Sequence, residues 1–427
     1  MSKIIDKSLA EEGRRALDWA RENMPILATI RERYEEEKPL EGLSVGVAMH
    51  LEQKTGVLLQ TLQAGGAEIS ASSCNPLTTD DAVAAALSEE MDIFAWSGQS
   101  KEEYYSCIES VIRSAPNITV DDGGDLIFML HSKYPAMLDG VMGGCEETTT
   151  GVIRLKAMSQ DGELKVPIIA VNNAYSKYLF DNRYGSGQSV IDAIASATNI
   201  LIAGKTVVVV GYGWVGRGVA MRLRGMGARV IVVETAASLN QQKQSGFHRG
   251  LEALYDGNWV MSMEEAAAMG DIFITATGNK HVISKHHFKR MKENVILANA
   301  GHFNNEIDVD SLQAMSKESK EIMPNLVRYR LKNGKGILLL SEGRLVNLAR
   351  PSGHGHPIEI MDGSFAVQAL CVEYLAKSSD SLKPEVYDVP SDLDEEVARL
   401  ALAAQGIALQ KPTPQQVEYV SAWEEGT

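Results

Sequence analysis

The sequence predicts an α/β protein of two doubly wound parallel-sheet domains, one inserted in the other, plus a small C-terminal helical segment. Three observations carry this. The glycine-rich hexad Gly211-Tyr212-Gly213-Trp214-Val215-Gly216 sits at mid-chain, between an apolar β-branched run and a helical one. The first 180 residues alternate short apolar runs with helical runs. Polar residues follow those apolar runs at the same place each time.

The first domain is read in chain order. Residues 43–48 form a strand, 54–64 a helix, 67–72 a strand and 79–87 a helix. Strands follow at 92–96, 118–120 and 167–171. His50 follows the first strand, Cys74-Asn75 the second, Asp121-Asp122-Gly123-Gly124-Asp125 a later one and Asn172-Asn173 the last. Open α/β sheets bind ligands outside the carboxyl ends of their strands, so these residues share one rim. Singly, His50 reads as a satisfied rim histidine and Asp121 or Asp122 as a helix cap. Together they read as a binding rim. Glu146-Glu147-Thr148-Thr149-Thr150-Gly151 is either a capping loop or a carboxylate–hydroxyl cluster. Lys177 and Asp181 stand at i and i+4, the spacing of a surface helix pair or of a lysine facing a nicotinamide at a domain junction.

The inserted domain opens with a strand at 206–210. The three glycines then permit the tight turn, the close approach of a pyrophosphate and the helix–strand packing. Residues 215–226 form the helix whose N-terminus faces phosphate. The strand 229–233 ends at Glu234, whose carboxylate would bond both ribose hydroxyls and repel a 2′-phosphate, favouring NAD over NADP. A bare packing turn followed by a surface glutamate is the alternative.

Composition bounds the function. The 427 residues suggest two or three domains. Forty-one Lys and Arg against 56 Asp and Glu give a net charge of -15, which argues against nucleic acid or an anionic membrane as partner. Cys74, Cys107, Cys145 and Cys371 form no CxxC pair, which fits a reducing compartment and gives no metal site. The first twenty residues are amphipathic without an apolar signal core, and no run of about 18 apolar residues occurs. A cytoplasmic protein is expected.

From about residue 43 to 419 the chain resembles the S-adenosylhomocysteine hydrolase family, through SCNPLTTDD, DDGGDL, EETTTGV, KYLFDNRYG, GYGWVGRG, NAGHF and EGRLVNLA. It looks most like short archaeal and thermophilic-bacterial members. The resemblance implies reversible hydrolysis of S-adenosyl-L-homocysteine to adenosine and homocysteine with tightly bound NAD. The 3′-carbon is oxidised, the 4′-proton lost, homocysteine eliminated, water added and the ketone reduced again. Lys177 and Asp181 match the pair around the 3′-hydroxyl, with Lys177 helping to remove its proton at a lowered pKa. His50 and Asp122 match the acid–base groups near the 4′ and 5′ positions, and Glu147 the carboxylate that holds the ribose. His302 and His356 complete the catalytic set. His354 is the other histidine of a segment two residues longer than usual, and His356 is preferred because Pro357 follows it. Glu52, Lys54, Thr55 and His354 are substrate candidates. Thr148, Thr149, Thr150, Asn182, Gly211, Gly213, Trp214, Val215, Gly216, Glu234, Thr277, Asn299, Ala300, Gly301 and Asn347 are cofactor candidates. No metal is expected.

The implied domains are 1–182 with 355–390 for substrate, 183–354 for NAD and 391–427 for subunit contacts in a homotetramer. Several positions depart from the better-known pattern. Glu52 and Lys54 stand where a Thr and a Glu touch the purine. Such a pair serves adenine or hypoxanthine, so S-inosyl-L-homocysteine is an alternative substrate; a surface Glu52–Lys54 pair is the other reading, weakened because i and i+2 do not face each other on a helix. Ser186 replaces a cysteine. Residues 235–250 are longer than usual, and the asparagine that often contacts the adenosine ribose has no clear counterpart. The family's C-terminal Lys/Tyr tail has none either. A different elimination on a nucleoside and a non-enzymatic NAD-binding homologue are further alternatives. Against the latter stands the joint presence of Lys177, Asp181, Asp122, Glu147 and His50.

Overall fold

The computed structural model describes residues 2–236 and 244–423. Residues 237–243, in the middle of the 235–250 insertion, lie outside the described residues. The first sheet uses β1 (Ser44–Ala48), β2 (Glu68–Ser72), β3 (Asp92–Phe94), β4 (Ile118–Asp121), β5 (Gly143–Glu146) and β6 (Ile168–Ala170). The second uses β7 (Thr206–Val210), β8 (Arg229–Val233), β9 (Trp259–Val260), β10 (Ile272–Thr275), β11 (Val295–Asn299), β12 (Ser316–Met323), β13 (Leu326–Leu331) and β14 (Gly336–Leu340). The chain then returns and adds β15 (Val386–Asp388) to the first sheet.

The first sheet runs β15-β6-β5-β4-β1-β2-β3, parallel throughout. The second runs β12-β13-β14-β11-β10-β7-β8-β9, parallel except where β12 and β13 turn back at one edge. In each sheet the strand order reverses once, between β1 and β4 and between β7 and β10, and these crevices are where open α/β sheets take ligands. The β-branched run of β7 buries four of its five residues, as a strand covered by helices on both faces requires.

Strand β5 escapes a hydrophobic-run reading because its sequence is GGCE. Its glycines are needed by packing: a Cβ at Gly143 would lie 2.9 Å from Leu375, and one at Gly144 would collide with Thr119. The long helix Ile358–Ser378 packs across this sheet and buries thirteen residues. Its Asp362 accepts from the backbone N–H groups of Ile26 (2.8 Å) and Leu27 (2.9 Å), fixing the start of helix Pro25–Glu37.

Helix Ser391–Ala404 packs within the chain, on Ile358–Ser378 and Pro25–Glu37. Residues 403–423 are exposed throughout. An amphipathic helix pattern reads alike whether its apolar face meets its own domain or a neighbour. No helix among the described residues is long and apolar enough to cross a membrane.

Candidate active site

The carboxyl ends of both sheets face one cavity. It is lined by His50, Asp122, Glu147 and Lys177 from the first domain and by Gly213, Ala300 and His302 from the second, among others. Lys177 lies on the short helical turn Tyr175–Tyr178, which Asp394 caps by accepting from the N–H groups of Tyr175 (2.6 Å) and Ser176 (2.8 Å). A π-type turn at Asp181–Gly185 then swings Asp181 back beneath it. Lys177 Nζ lies 3.4 Å from Glu147 and 3.8 Å from Asp181, and donates to Asn182 at 3.0 Å. Both partners of the i, i+4 pair are buried, so this is no surface helix pair.

Helix Ile358–Ser378 supplies two groups that the sequence reading missed. Ser364 donates to Asp181 Oδ2 at 2.7 Å, and Gln368 Nε2 donates to Glu147 at 2.6 Å. Their signal, polar residues on an otherwise apolar helix, is visible only once that helix is known to be buried.

His356 lies with its Nδ1 2.9 Å from Asp181 and its Nε2 3.0 Å from the Ser186 hydroxyl. Ser186 therefore keeps a polar contact where the family has cysteine. The His354 ring stands at the surface 3.4 Å from Arg350 and does not line the cavity; its carbonyl instead accepts from Lys54 at 2.9 Å.

A second cluster crosses the domain boundary. His50 Nδ1 is 2.8 Å from the Thr78 hydroxyl, and its Nε2 is 3.5 Å from Asp122 Oδ2. His302 reaches over from the other domain to 3.5 Å from Asp122 Oδ1. It passes over Gly123, where φ is 110° and any Cβ would collide with the imidazole. Cys74 brings its sulfur within 4.8 Å of the His50 and Asp122 ligand atoms, but burial pushes its thiol well up.

The electrostatics follow from burial and these partners. Burial pushes His50 down to about 4, against the pull of Asp122, so it is neutral at pH 7. Burial lifts Glu147 to about 7 despite Lys177. Burial works to raise Asp181, but Lys177 and His356 overcome it and hold the carboxyl below its usual range. Lys177 corrects an expectation. Burial lowers it, yet Asp181 and Glu147 outweigh that and leave it above its ordinary value. It is an ammonium in this setting, because two carboxylates and no second cation surround it.

Glu52 and Lys54 are both buried, 2.9 Å apart. They meet, as i and i+2 residues within a helix do not, because Glu52 is the N-cap of helix Gln53–Ala64, with extended backbone outside the helical spacing. Thr55 donates to the His50 carbonyl at 2.6 Å and lines the same wall.

The second domain fits a dinucleotide. Gly211 has φ of 95°, and a Cβ there would lie 2.6 Å from the Ala276 carbonyl; at Gly216 it would collide with Gly211 itself. A Cβ at Gly213 would meet nothing within 4 Å, which leaves the approach open at the N-terminus of helix Trp214–Gly225. Asn347 Oδ1 and Thr150 Oγ1 line the cavity as buried polar atoms with no partner, as groups awaiting a ligand do. Asn347 is held by its Nδ2 bond to Ser189 at 3.1 Å. Thr148, Thr149, Asn182, Trp214, Val215, Thr277 and Gly301 also line the cavity.

Asn299 does not line it. Its amide is spent on the carbonyls of Gly301, Phe303 and Gly343, each at 2.9 Å, so it shapes the 300–302 loop from beneath. Buried Glu306 was missed by the sequence reading. It accepts from the N–H groups of Thr277 (2.9 Å) and Gly278 (2.8 Å), holding the turn after β10.

Two facing switch points, one shaped for a dinucleotide and one carrying an acid–base cluster, define an NAD-dependent enzyme for a small polar substrate. The chain belongs to the S-adenosyl-L-homocysteine hydrolase family. The family description "S-adenosyl-L-homocysteine hydrolase" matches residues 1–134, and "S-adenosyl-L-homocysteine hydrolase, NAD binding domain" matches residues 182–353. The chain is 55% identical over 426 residues to the S-inosyl-L-homocysteine hydrolase of Methanopyrus kandleri, covering 99% of this chain and 98% of that one. It is 53% identical over 426 residues to the adenosylhomocysteinase of Sulfurisphaera tokodaii, covering 100% and 99%.

Proposed function

We propose that this chain reversibly hydrolyses S-adenosyl-L-homocysteine to adenosine and L-homocysteine. The observation that carries this is the buried Lys177–Glu147–Asp181–His356 network lying beside the His50–Asp122–His302 cluster. NAD held by the 211–216 loop, Thr148 to Thr150 and Asn347 supplies a hydride acceptor, and later donor, for the 3′-carbon. Every proton is handled by this chain. Lys177 as ammonium faces the 3′-oxygen and stabilises negative charge there. Glu147, held near 7, is 3.4 Å away and able to take the hydroxyl proton that a charged lysine cannot. Asp181, fixed by Ser364 and His356, keeps Lys177 charged and oriented. Asp122 is the acceptor for the 4′-proton, and neutral His50 handles the proton exchanged at the 5′ position.

A second reading rests on the buried Glu52–Lys54 pair. Such a pair accepts from the adenine amino group and donates to N1, or accepts from hypoxanthine N1–H and donates to the 6-oxygen. S-inosyl-L-homocysteine is thus the alternative substrate. Purified protein is expected to release homocysteine thiol from the adenosyl substrate; release from the inosyl substrate alone would replace the adenosyl reading. Lys177→Ala is expected to keep NAD but to show no reduced-nicotinamide absorbance on adding substrate. Normal reduction would remove Lys177 from the reaction.

Assembly as a homotetramer belongs to the same proposal. The exposed apolar side chains of Ile407, Leu409, Val417, Tyr419 and Val420 support it. Residence in the cytoplasm is supported by four buried cysteines, none in a disulfide.

A further inference from the structure

Glu147 has two oxygens, and helix Ile358–Ser378 treats them differently. Ser364 and Gln368 stand four residues apart on that helix, hence on one face, and both are fully buried. Gln368 Nε2 donates to Glu147 Oε2 at 2.6 Å. Gln368 Oε1 is buried with no hydrogen-bond partner among the described residues, so the carboxyl is what holds this amide in place. Turned over, the amide would set its own carbonyl oxygen against an ionised carboxylate.

Glu147 Oε1 has other neighbours. It lies 3.4 Å from Lys177 Nζ and 3.3 Å from the Ser364 hydroxyl. That hydroxyl has one hydrogen, and its shorter bond, 2.7 Å, runs to the ionised Asp181. Its oxygen is left able to accept an O–H from Oε1. Glu147 and Lys177 line the cavity, whereas Ser364 and Gln368 do not. What these two do for the reaction they do through Glu147 and Asp181.

In the proposed reaction Glu147 changes charge twice per turnover. The 3′-carbon gives its hydride to NAD, the hydroxyl proton passes to the carboxylate and the ketone forms; the closing reduction returns both. We propose that Gln368 is a positioning residue for Glu147: by occupying Oε2 it directs the proton to Oε1, the oxygen beside Lys177, where Ser364 accepts from it. The inference rests on the reading of Glu147 as the acceptor of the 3′-hydroxyl proton. The other groups around this carboxyl are Lys177, Asp181 and Asp122, and the thiols of Cys145 and Cys371, which burial keeps protonated. Beside them, the Gln368 N–H favours the ionised form of Glu147.

The test is the pH dependence of the oxidation step in the full-length holoenzyme, followed by reduced-nicotinamide absorbance after rapid mixing with S-adenosyl-L-homocysteine and, separately, S-inosyl-L-homocysteine. The wild-type rate is expected to rise with pH as Glu147 ionises. Gln368→Met keeps the bulk and removes the N–H. It is expected to slow oxidation about tenfold at neutral pH and to move the rise up by about one pH unit, the equivalent of one hydrogen bond to a charged group. Gln368→Glu, nearly isosteric, sets a second carboxyl against the first and is expected to move the rise further. Bound NAD is expected to stay at the wild-type level in both; should Gln368→Met not fold, Gln368→Glu decides. A rise left at the wild-type pH overturns the inference, whether the rate is unchanged or falls equally at every pH, since the latter makes Gln368 a structural support alone. A wild-type rate flat in pH, or Glu147→Gln oxidising substrate at the wild-type rate, overturns the Glu147 reading itself.

Discussion

Glu147 shows how much of a site's chemistry is set by burial and not by residue type. Its folded pKa is raised from 4.5 to about 7, so the stability it contributes is present in full below about 4.5 and is lost as pH rises through about 7. Glu147→Gln stays neutral and escapes that loss. The wild-type melting temperature is therefore expected to fall relative to the variant between pH 4.5 and 7; a gain over that interval would return Glu147 to ordinary acidity. The two histidines make a second contrast. His356→Ala removes the 2.9 Å partner of Asp181 and is expected to cut turnover by about tenfold or more, while His354→Ala, an exposed ring, is expected to leave it near wild type. Equal losses in steady-state assays would defeat that assignment. The i, i+4 spacing of Lys177 and Asp181 was legible in the sequence, but their burial was not. Spacing carries no depth, and the lysine's protonation followed from depth and neighbours.

At the scale of elements, what was legible was what is local. Strand β7, its glycine turn and the helix after it follow each other within the residues 206–225, so pattern and structure coincide to within a residue. Strand β5 was hidden because GGCE has almost no side-chain signal, and its place depends on neighbours distant in the chain. The link from Asp394 to residues 175 and 176 spans more than two hundred positions, beyond any periodicity argument. Asp394→Ala leaves two N–H groups of the Lys177 turn uncapped. It is expected to cost about 0.5–2 kcal/mol of stability in denaturant melts and to slow 3′-oxidation. Unchanged oxidation with lost stability would confine Asp394 to a structural role.

For the whole molecule, both sheets reverse at their midpoints and aim those crevices at each other, an arrangement legible from the alternating runs and the rim residues. The tetramer was an expectation of the family resemblance, and the proposal for it leans on the exposed apolar side chains after residue 405. Removing residues 406–427 is expected to reduce the particle mass from that of a tetramer in light scattering; equal masses would place the subunit contacts elsewhere. The shared position of Asp122 has a last consequence. It is held by His50 from its own domain and by His302 from the other, each at 3.5 Å. Parting the domains to admit a nucleoside necessarily takes His302 away from that carboxylate. An Asp122 flanked from both domains would then act as an interlock, its cluster complete only when the two crevices are together as they stand here.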